Sequence, residues 1–261
     1  MVKLLKTEFF KVRKVKSVKI ALLIAVVFAF INIFLMKIAE KFMGNLDIPE
    51  GFNFSFDATG RSVFLNSFSL FNNFGIIIPI IICIYVGQEF SYGTIRNKLI
   101  AGAKRYEIYL ANAIIASIFG LVLFLVYAGI GLLLSFPILG YGKTFNTSEF
   151  FFVLKVFGLG CLLFLFSISL SVFLTFILKN QAFALLANII IMMVGSAVMT
   201  LAGLNGNLDK VFTFIPFYQA LKLTTGIIDS GLVLKIVITN ILLIGALNLG
   251  GILVFKKADL K

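Results

Sequence analysis

The chain has 261 residues, of which 61% are apolar and 13% charged, with 23 Lys and Arg against 11 Asp and Glu. Soluble domains have roughly 45–50% apolar and about 25% charged residues, and a chain of this length cannot bury so much apolar surface, so a soluble single domain is excluded. The chain has no His, and Cys83 and Cys161 are isolated within apolar runs. This excludes Ser-His-Asp and Cys-His catalysis and predicts no catalytic, cofactor-binding or metal site.

Residues 1–17 have the pattern of a basic amphipathic helix. Apolar residues recur at spacings of three and four, with basic residues between them, at Val2, Leu5, Phe9 and Val12. Helices of this kind lie in the membrane interface, with their cationic face towards the lipid headgroups. We expect a membrane-surface elbow helix that includes Phe9, Lys11, Arg13 and Lys14.

Six apolar runs are each long enough for a spanning helix of about 20 residues. They lie near residues 18–38, 68–87, 108–136, 151–178, 183–204 and 233–255. These runs predict an all-α, polytopic membrane protein in which residues 1–261 form a single transmembrane domain. The centres of the runs carry no charged residue. A proton-coupled carrier is therefore disfavoured, because ion relays need ionisable groups inside the membrane.

Neutral polar residues do occur within the runs. They are Asn32, Asn112, Asn188, Asn240 and Asn248 and the series Ser167, Ser169 and Ser171. We expect them to form hydrogen bonds between helices. Lining of a translocation path is the alternative.

The basic residues predict the orientation of the chain. Fifteen of the 23 Lys and Arg lie in residues 1–19, in the links 88–107 and 179–182, and after residue 255. Cytoplasmic segments carry such an excess, so we expect both termini to be cytoplasmic. The net charge of +12 then reflects topology, and we expect no nucleic-acid partner.

The longest predicted cytoplasmic link, residues 88–107, begins with Gln88-Glu89-Phe90 and has a chain break at Gly93-Thr94. A short helix is expected after the break. Its apolar side comprises Ile95, Leu99 and Ile100, and its exposed side comprises Arg96, Asn97 and Lys98. A short helix with a mixed exposed face suits docking into a cleft of a partner protein, with apolar anchors for affinity and charges for register. An ordinary basic loop is the alternative.

With its basic elbow, six runs and this motif, the whole chain resembles permease subunits of ABC transporters of the ABC-2 (type V exporter-like) family. In that family the loop after the second span carries an E-F-x-x-G-T-[IL]-[KR] pattern, which is matched here by Glu89, Phe90, Gly93, Thr94, Ile95 and Arg96. The resemblance implies that this segment, with Asn97 and Lys98, is the coupling helix that docks on a separate ATPase.

The resemblance also implies the composition of the complex. A second permease copy or a related permease and two ABC ATPase subunits are expected, with ATP and Mg bound by the ATPases. The chain itself has no G-x-x-x-x-G-K-[ST] phosphate loop, so we expect no enzymatic activity in it. The implied location is the bacterial cytoplasmic membrane.

Short re-entrant helices before the last span are a further implication of the resemblance. Residues 208–224 are aromatic, apolar and interrupted by Pro216. We expect an extracellular gate formed by Phe214, Pro216, Phe217 and Tyr218, since irregular backbone is tolerated where protein buries it. A surface helix at the membrane interface is the alternative.

The short outer loops resemble those of permeases that export amphipathic or antimicrobial peptides, including lantibiotic immunity systems. We therefore expect a peptide or another hydrophobic compound as substrate. Three other functions are weighed. A stand-alone channel or secondary carrier would need no ATPase, and an immunity or assembly factor would bind a peptide without transport. A membrane-embedded hydrolase is disfavoured by the missing His.

Overall fold

A computed structural model describes residues 1–14, 16–43, 58–70, 74–204 and 209–258. These residues form eleven α-helices: α1 Val2–Lys14, α2 Lys16–Met43, α3 Gly60–Asn66, α4 Phe74–Ser91, α5 Thr94–Ile100, α6 Arg105–Leu139, α7 Thr147–Leu178, α8 Gln181–Leu204, α9 Asp209–Phe212, α10 Pro216–Thr224 and α11 Ser230–Lys257. No strand occurs in this part of the chain. The predicted all-α fold is confirmed.

Four helices in the described ranges are long and apolar enough to cross a membrane: Val18–Phe42, Arg105–Leu139, Thr147–Leu178 and Ser230–Lys257. α4 and α5 together are also long and apolar enough to cross a membrane, but a bend of 55° lies between them. In α8 the side chains are described up to Ala197, and the stretch Gln181–Ala197 is apolar but shorter than a full span. The structure thus supports a multi-pass membrane protein with four or five spanning helices, and the count of six stays a prediction.

Five of the six apolar runs lie within single helices, namely α2, α6, α7, α8 and α11. The predicted start of the second run at residue 68 is wrong, because residues 67–70 form a turn and a bend and α4 begins at Phe74. Residues 60–66, before this run, form the separate helix α3. Thr59 and Ser62 cap α3 reciprocally through side chain and backbone, which satisfies amide groups at its start. The segment between α2 and Ala58, residues 44–57, lies outside the described residues.

α6 and α7 form the centre of the bundle, and α2, α4 and α11 pack around them. Phenylalanine rings fill the space between α3, α6 and α7. The rings of Phe124 and Phe164 stack at 4.1 Å, and the ring of Phe68 packs edge-on against Phe124 at 5.6 Å. Gly160 makes this packing possible, because a Cβ there would lie 2.2 Å from the Phe68 ring. Aromatic packing therefore positions α3 against the long helices.

Candidate functional site

The predicted break before α5 is present and has a clear geometry. Gly93 has a φ of 65°, a left-handed conformation that glycine adopts without strain. The Thr94 hydroxyl donates a hydrogen bond of 3.0 Å to the backbone oxygen of Glu89. This contact fixes the turn between the two helices. α5 then ends at Ile100, and Gly102, with a φ of 88°, turns the chain into α6.

α5 has one buried face and one exposed face. Ile95 is buried and Leu99 packs against the core, as the sequence predicts. The expectation that Ile100 shares this face is wrong, because its side chain is 78% exposed. Five residues along a helix rotate a side chain by about 140°, which carries Ile100 away from Ile95. An exposed patch results, here called the docking face, formed by Tyr92, Arg96, Asn97 and Ile100.

Lys98 was expected on the exposed side, and this expectation is also wrong. Its ammonium group turns inward and contacts the carboxylates of both Glu8 and Glu89. Lys11 also contacts Glu89, and its Nζ lies 3.9 Å from Oε2 of Glu8. Glu8 and Glu89 are each only 1% exposed. These four residues, called the charge cluster below, join α1, α4 and α5 in one ionic contact.

The charges of the cluster cancel, two carboxylates against two ammonium groups. Buried charges persist in proteins when they are paired in this way. Removing one partner of a buried pair costs about 3–5 kcal/mol, because an uncompensated charge is left behind. Lys11 makes a further favourable contact, since its Nζ lies 5.3 Å from the centre of the Tyr85 ring. The cluster therefore holds α5 in one position against α1 and α4.

A second set of contacts fastens the chain directly after α5. Arg105, the first residue of α6, donates hydrogen bonds to the backbone oxygens of Phe255 at 3.2 Å, Lys256 at 3.3 Å and Ala258. These carbonyls lie at the end of α11, where a cation also complements the helix dipole. The amino group of Met1 lies 3.2 Å from the Glu107 carboxylate. The start of α6, which follows α5 in the chain, is thus connected to the end of α11 and to the N-terminus.

The predicted elbow residues lie in α1, which is helical over Val2–Lys14. Phe9 is exposed, and so is Lys14, whose Nζ lies 4.5 Å from the centre of the Phe10 ring. Lys11 belongs to the charge cluster. The side chain of Arg13 lies outside the described residues. The position of the elbow in a membrane interface stays a prediction.

The predicted gate segment forms α9, a turn and α10. Pro216 begins α10, and Phe217 and Tyr218 are buried, whereas Phe214 in the turn is exposed. Leu208, where the prediction begins, lies outside the described residues. α10 packs against α3, α7, α8 and α11. This packing favours a segment inside the bundle over a helix on its surface.

Neutral hydrogen bonds hold α10 in place. Gln219 is fully buried, and its Nε2 donates to the backbone oxygen of Thr213 at 2.9 Å. Its Oε1 accepts a hydrogen bond of 2.7 Å from Asn240 of α11. Asn240 lies ten residues after the start of α11 at Ser230, about 15 Å along the helix axis. The turn before α10 therefore reaches well into the bundle.

Other polar residues behave partly as expected. The Asn188 amide of α8 donates to the Ser171 hydroxyl of α7 at 2.9 Å, and the Asn32 amide of α2 donates to the Tyr127 hydroxyl of α6 at 2.9 Å. The expectation of bonds between helices is wrong for Asn112 and Asn248, whose amides donate to carbonyls of their own helices.

No group of His, Cys, Asp and Glu that could hold a metal was found in the described residues.

The end of the bundle near α3 carries a second ionic contact. Arg61 Nε lies 3.5 Å from Oε2 of Glu149, and the Tyr141 hydroxyl donates to the same oxygen at 3.0 Å. Burial and this hydrogen bond raise the pKa of Tyr141 to about 12. The shared carboxylate of Glu149 in α7 thus joins Arg61 of α3 and Tyr141 of the link before α7.

Sequence reasoning missed three residues that organise these sites: Glu8, Arg105 and Gln219. Glu8 is the single acidic residue of α1, which also contains five basic residues. A lone carboxylate in a basic helix could have indicated an ionic contact. The partner of Glu8, Lys98, lies 90 positions further along the chain, however, and helical periodicity does not report pairings at that separation.

Comparison with known proteins gives one family match. A family described as "ABC-2 family transporter protein" matches residues 4–196. The matched range runs from α1 into α8 and includes the charge cluster and the docking face. The search of curated proteins and the search of solved structures each gave no match.

Proposed function

The chain belongs to the ABC-2 family of transporter proteins and is a transmembrane permease of an ABC transporter, and on this premise we propose that it works with separate ATPase subunits that dock on α5. Two permease copies, identical or related, form the translocation path between them. ATP and Mg²⁺ bind to the ATPases. The complex resides in the bacterial cytoplasmic membrane, with both permease termini in the cytoplasm.

The observation that carries this proposal is the two-sided character of α5. Its docking face exposes a tyrosine, an arginine, an amide and an isoleucine, Tyr92, Arg96, Asn97 and Ile100. Aromatic and Arg side chains are frequent anchors of protein interfaces. Its other side is fastened by Ile95 in the core and by Lys98 in the charge cluster. A short helix with this structure can receive a force from outside and pass it inward.

The transmission path follows from the contacts. Closure of the ATPases displaces α5, and Lys98 carries the displacement to α1 through Glu8 and to α4 through Glu89. Arg105 carries it to the end of α11. Because α1 leads into α2 and α4 crosses the bundle, the long helices tilt together. The path then opens at the far end, where Phe214, Pro216, Phe217 and Tyr218 form the gate.

The substrate in this proposal is an amphipathic or antimicrobial peptide, as in lantibiotic immunity, or another hydrophobic compound. The support is the resemblance to short permeases of this kind. The charge-free centres of the long helices are compatible with apolar cargo. Nucleic acid is not required as a partner.

The first test is whether the reading frame beside its gene encodes a phosphate-loop ATPase, and the second is co-expression of the full chain with that ATPase. The two proteins should co-purify, and the complex in vesicles should hydrolyse ATP. Arg96→Glu reverses a charge in the docking face and should weaken ATPase binding at least about tenfold, with unchanged thermal stability. Lys257→Glu makes the same charge change at the exposed end of α11 and serves as the matched control.

The competing reading as a channel or secondary carrier predicts a different result. A clean homo-oligomer that moves solute without ATP, and that binds no ATPase, would contradict the proposal. Equal ATPase binding by Arg96→Glu and Lys257→Glu would contradict the assignment of α5 as the docking element.

A further inference from the structure

An apolar groove of about 440 Å³ lies between α1 and α6. Its walls are formed by Leu5, Lys6, Phe9, Phe10, Ile114, Ile115 and Ile118. Phe9 and Phe10 are 55% and 58% exposed, so the groove is open to its surroundings. In a membrane protein such a groove faces acyl chains, and large aromatic side chains at its edge suit the interfacial region.

The rim of the groove is cationic. Lys6 lines it directly, and Lys14 lies over Phe10, with Nζ 4.5 Å from the ring centre. Among the described residues, those that line the groove include no carboxylate. The nearest acidic residue of α1, Glu8, is turned away into the charge cluster, where it pairs with Lys98. The basic charge at the rim is therefore not neutralised by α1 itself.

We propose that this groove is a binding site for one anionic phospholipid, with an acyl chain between α1 and α6 and the headgroup phosphate at Lys6 and Lys14. A basic residue near an anionic membrane surface contributes about 1 kcal/mol of attraction, which corresponds to a preference of about fivefold. The apolar walls bind any acyl chain, and the two lysines select the anionic headgroup. This site is independent of the ATPase partner.

The absence of Trp from the sequence provides a direct assay. Phe10→Trp places one fluorophore in the groove of the full chain, and Leu249→Trp places one on an exposed position of α11. Each variant is reconstituted in vesicles that contain equal amounts of phosphatidylglycerol and phosphatidylcholine, with bromine on the acyl chains of one lipid or the other. Brominated chains quench Trp fluorescence on contact.

For Phe10→Trp, quenching should indicate a preference of about fivefold or more for phosphatidylglycerol. Leu249→Trp should show no preference. Adding Lys6→Gln and Lys14→Gln to Phe10→Trp should remove the preference while brominated phosphatidylcholine still quenches. Equal quenching of Phe10→Trp by the two lipids would overturn the proposal, as would an equal preference at Leu249→Trp. None of these results depends on an ATPase, so the test stands apart from that of the proposed function.

Discussion

Two buried polar contacts hold the two candidate moving parts, and they differ in chemistry. The charge cluster joins α5 to α1 and α4 through full charges, whereas Gln219 and Asn240 join α10 to α11 through neutral amides. The lysines of the cluster keep a route to water, with side chains 31% exposed for Lys11 and 16% for Lys98. Gln219 and Asn240 are completely buried.

This difference reflects position in the bundle. Full charges deep in a membrane are expensive, whereas paired charges near a helix end can keep partial access to water. The ionic contact accordingly lies near the end of α4, where its lysines keep partial access to solvent. Deeper in the bundle, a neutral contact holds α10 at lower cost and can be exchanged more easily. The comparison predicts a stiff connection at α5 and a softer one at α10.

The largest effect should follow from Glu89→Gln. This change keeps the shape of the side chain but leaves Lys11 and Lys98 with one carboxylate. We expect a loss of about 3–5 kcal/mol in unfolding free energy, measured by thermal unfolding of the purified protein. Glu40→Gln, at an exposed position of α2, is the control and should be neutral. An equal loss of unfolding free energy for Glu89→Gln and Glu40→Gln would contradict the stabilising role of the charge cluster.

A double-mutant cycle on Glu8 and Lys98 tests whether α1 and α5 are directly connected. Glu8→Gln leaves one excess positive charge in the cluster, and Lys98→Met leaves one excess negative charge. In the double variant the charges balance again, so its loss of unfolding free energy should be smaller than the sum of the two single losses. The expected coupling free energy is about 0.5–3 kcal/mol. The same double-mutant cycle on Glu40 and Lys98 should give no coupling free energy. A coupling near zero for Glu8 and Lys98 would contradict the transmission path from α5 to α1.

A smaller effect is expected at α10. Asn240→Leu removes the partner of Gln219, and hydrogen bonds between membrane helices contribute about 0.6 kcal/mol on average and up to about 1.7. We expect a loss of about 1 kcal/mol in thermal unfolding. Asn248→Leu, in which the lost bond lies within α11, is the matched control and should cost less. A loss of unfolding free energy for Asn240→Leu equal to that for Glu89→Gln would contradict the predicted difference between the two contacts.

The smallest effect on stability should come from Ile100→Ser on the docking face. Because Ile100 is 78% exposed, the unfolding free energy should change by less than about 0.5 kcal/mol. ATPase binding, measured by titration of the purified ATPase, should nevertheless weaken. Leu221→Ser, at an exposed position of α10, provides the control. Unchanged ATPase affinity would show that Ile100 does not contribute to docking.

Local patterns predict local structure well in this chain. The apolar runs place five long helices, and Gly93-Thr94 marks the break before α5, because both depend on neighbouring residues. α3 escaped prediction because it lies in the link between the first two apolar runs, and its seven residues are too few for a clear helical periodicity. The inward turn of Lys98 was missed because its partner Glu8 comes from another helix. Contacts between distant helices are set by packing, which periodicity does not encode.

The charge cluster also has a consequence for how the protein is made. Glu8 leaves the ribosome 90 residues before Lys98, so during synthesis its carboxylate has Lys11 nearby but not its second partner. The cluster closes after α4 and α5 have both emerged and come to lie beside α1. A chain truncated before Lys98 retains two carboxylates with one lysine and cannot complete the contact. The cluster can thus form only when residues 1–98 have been synthesised and α1, α4 and α5 lie together.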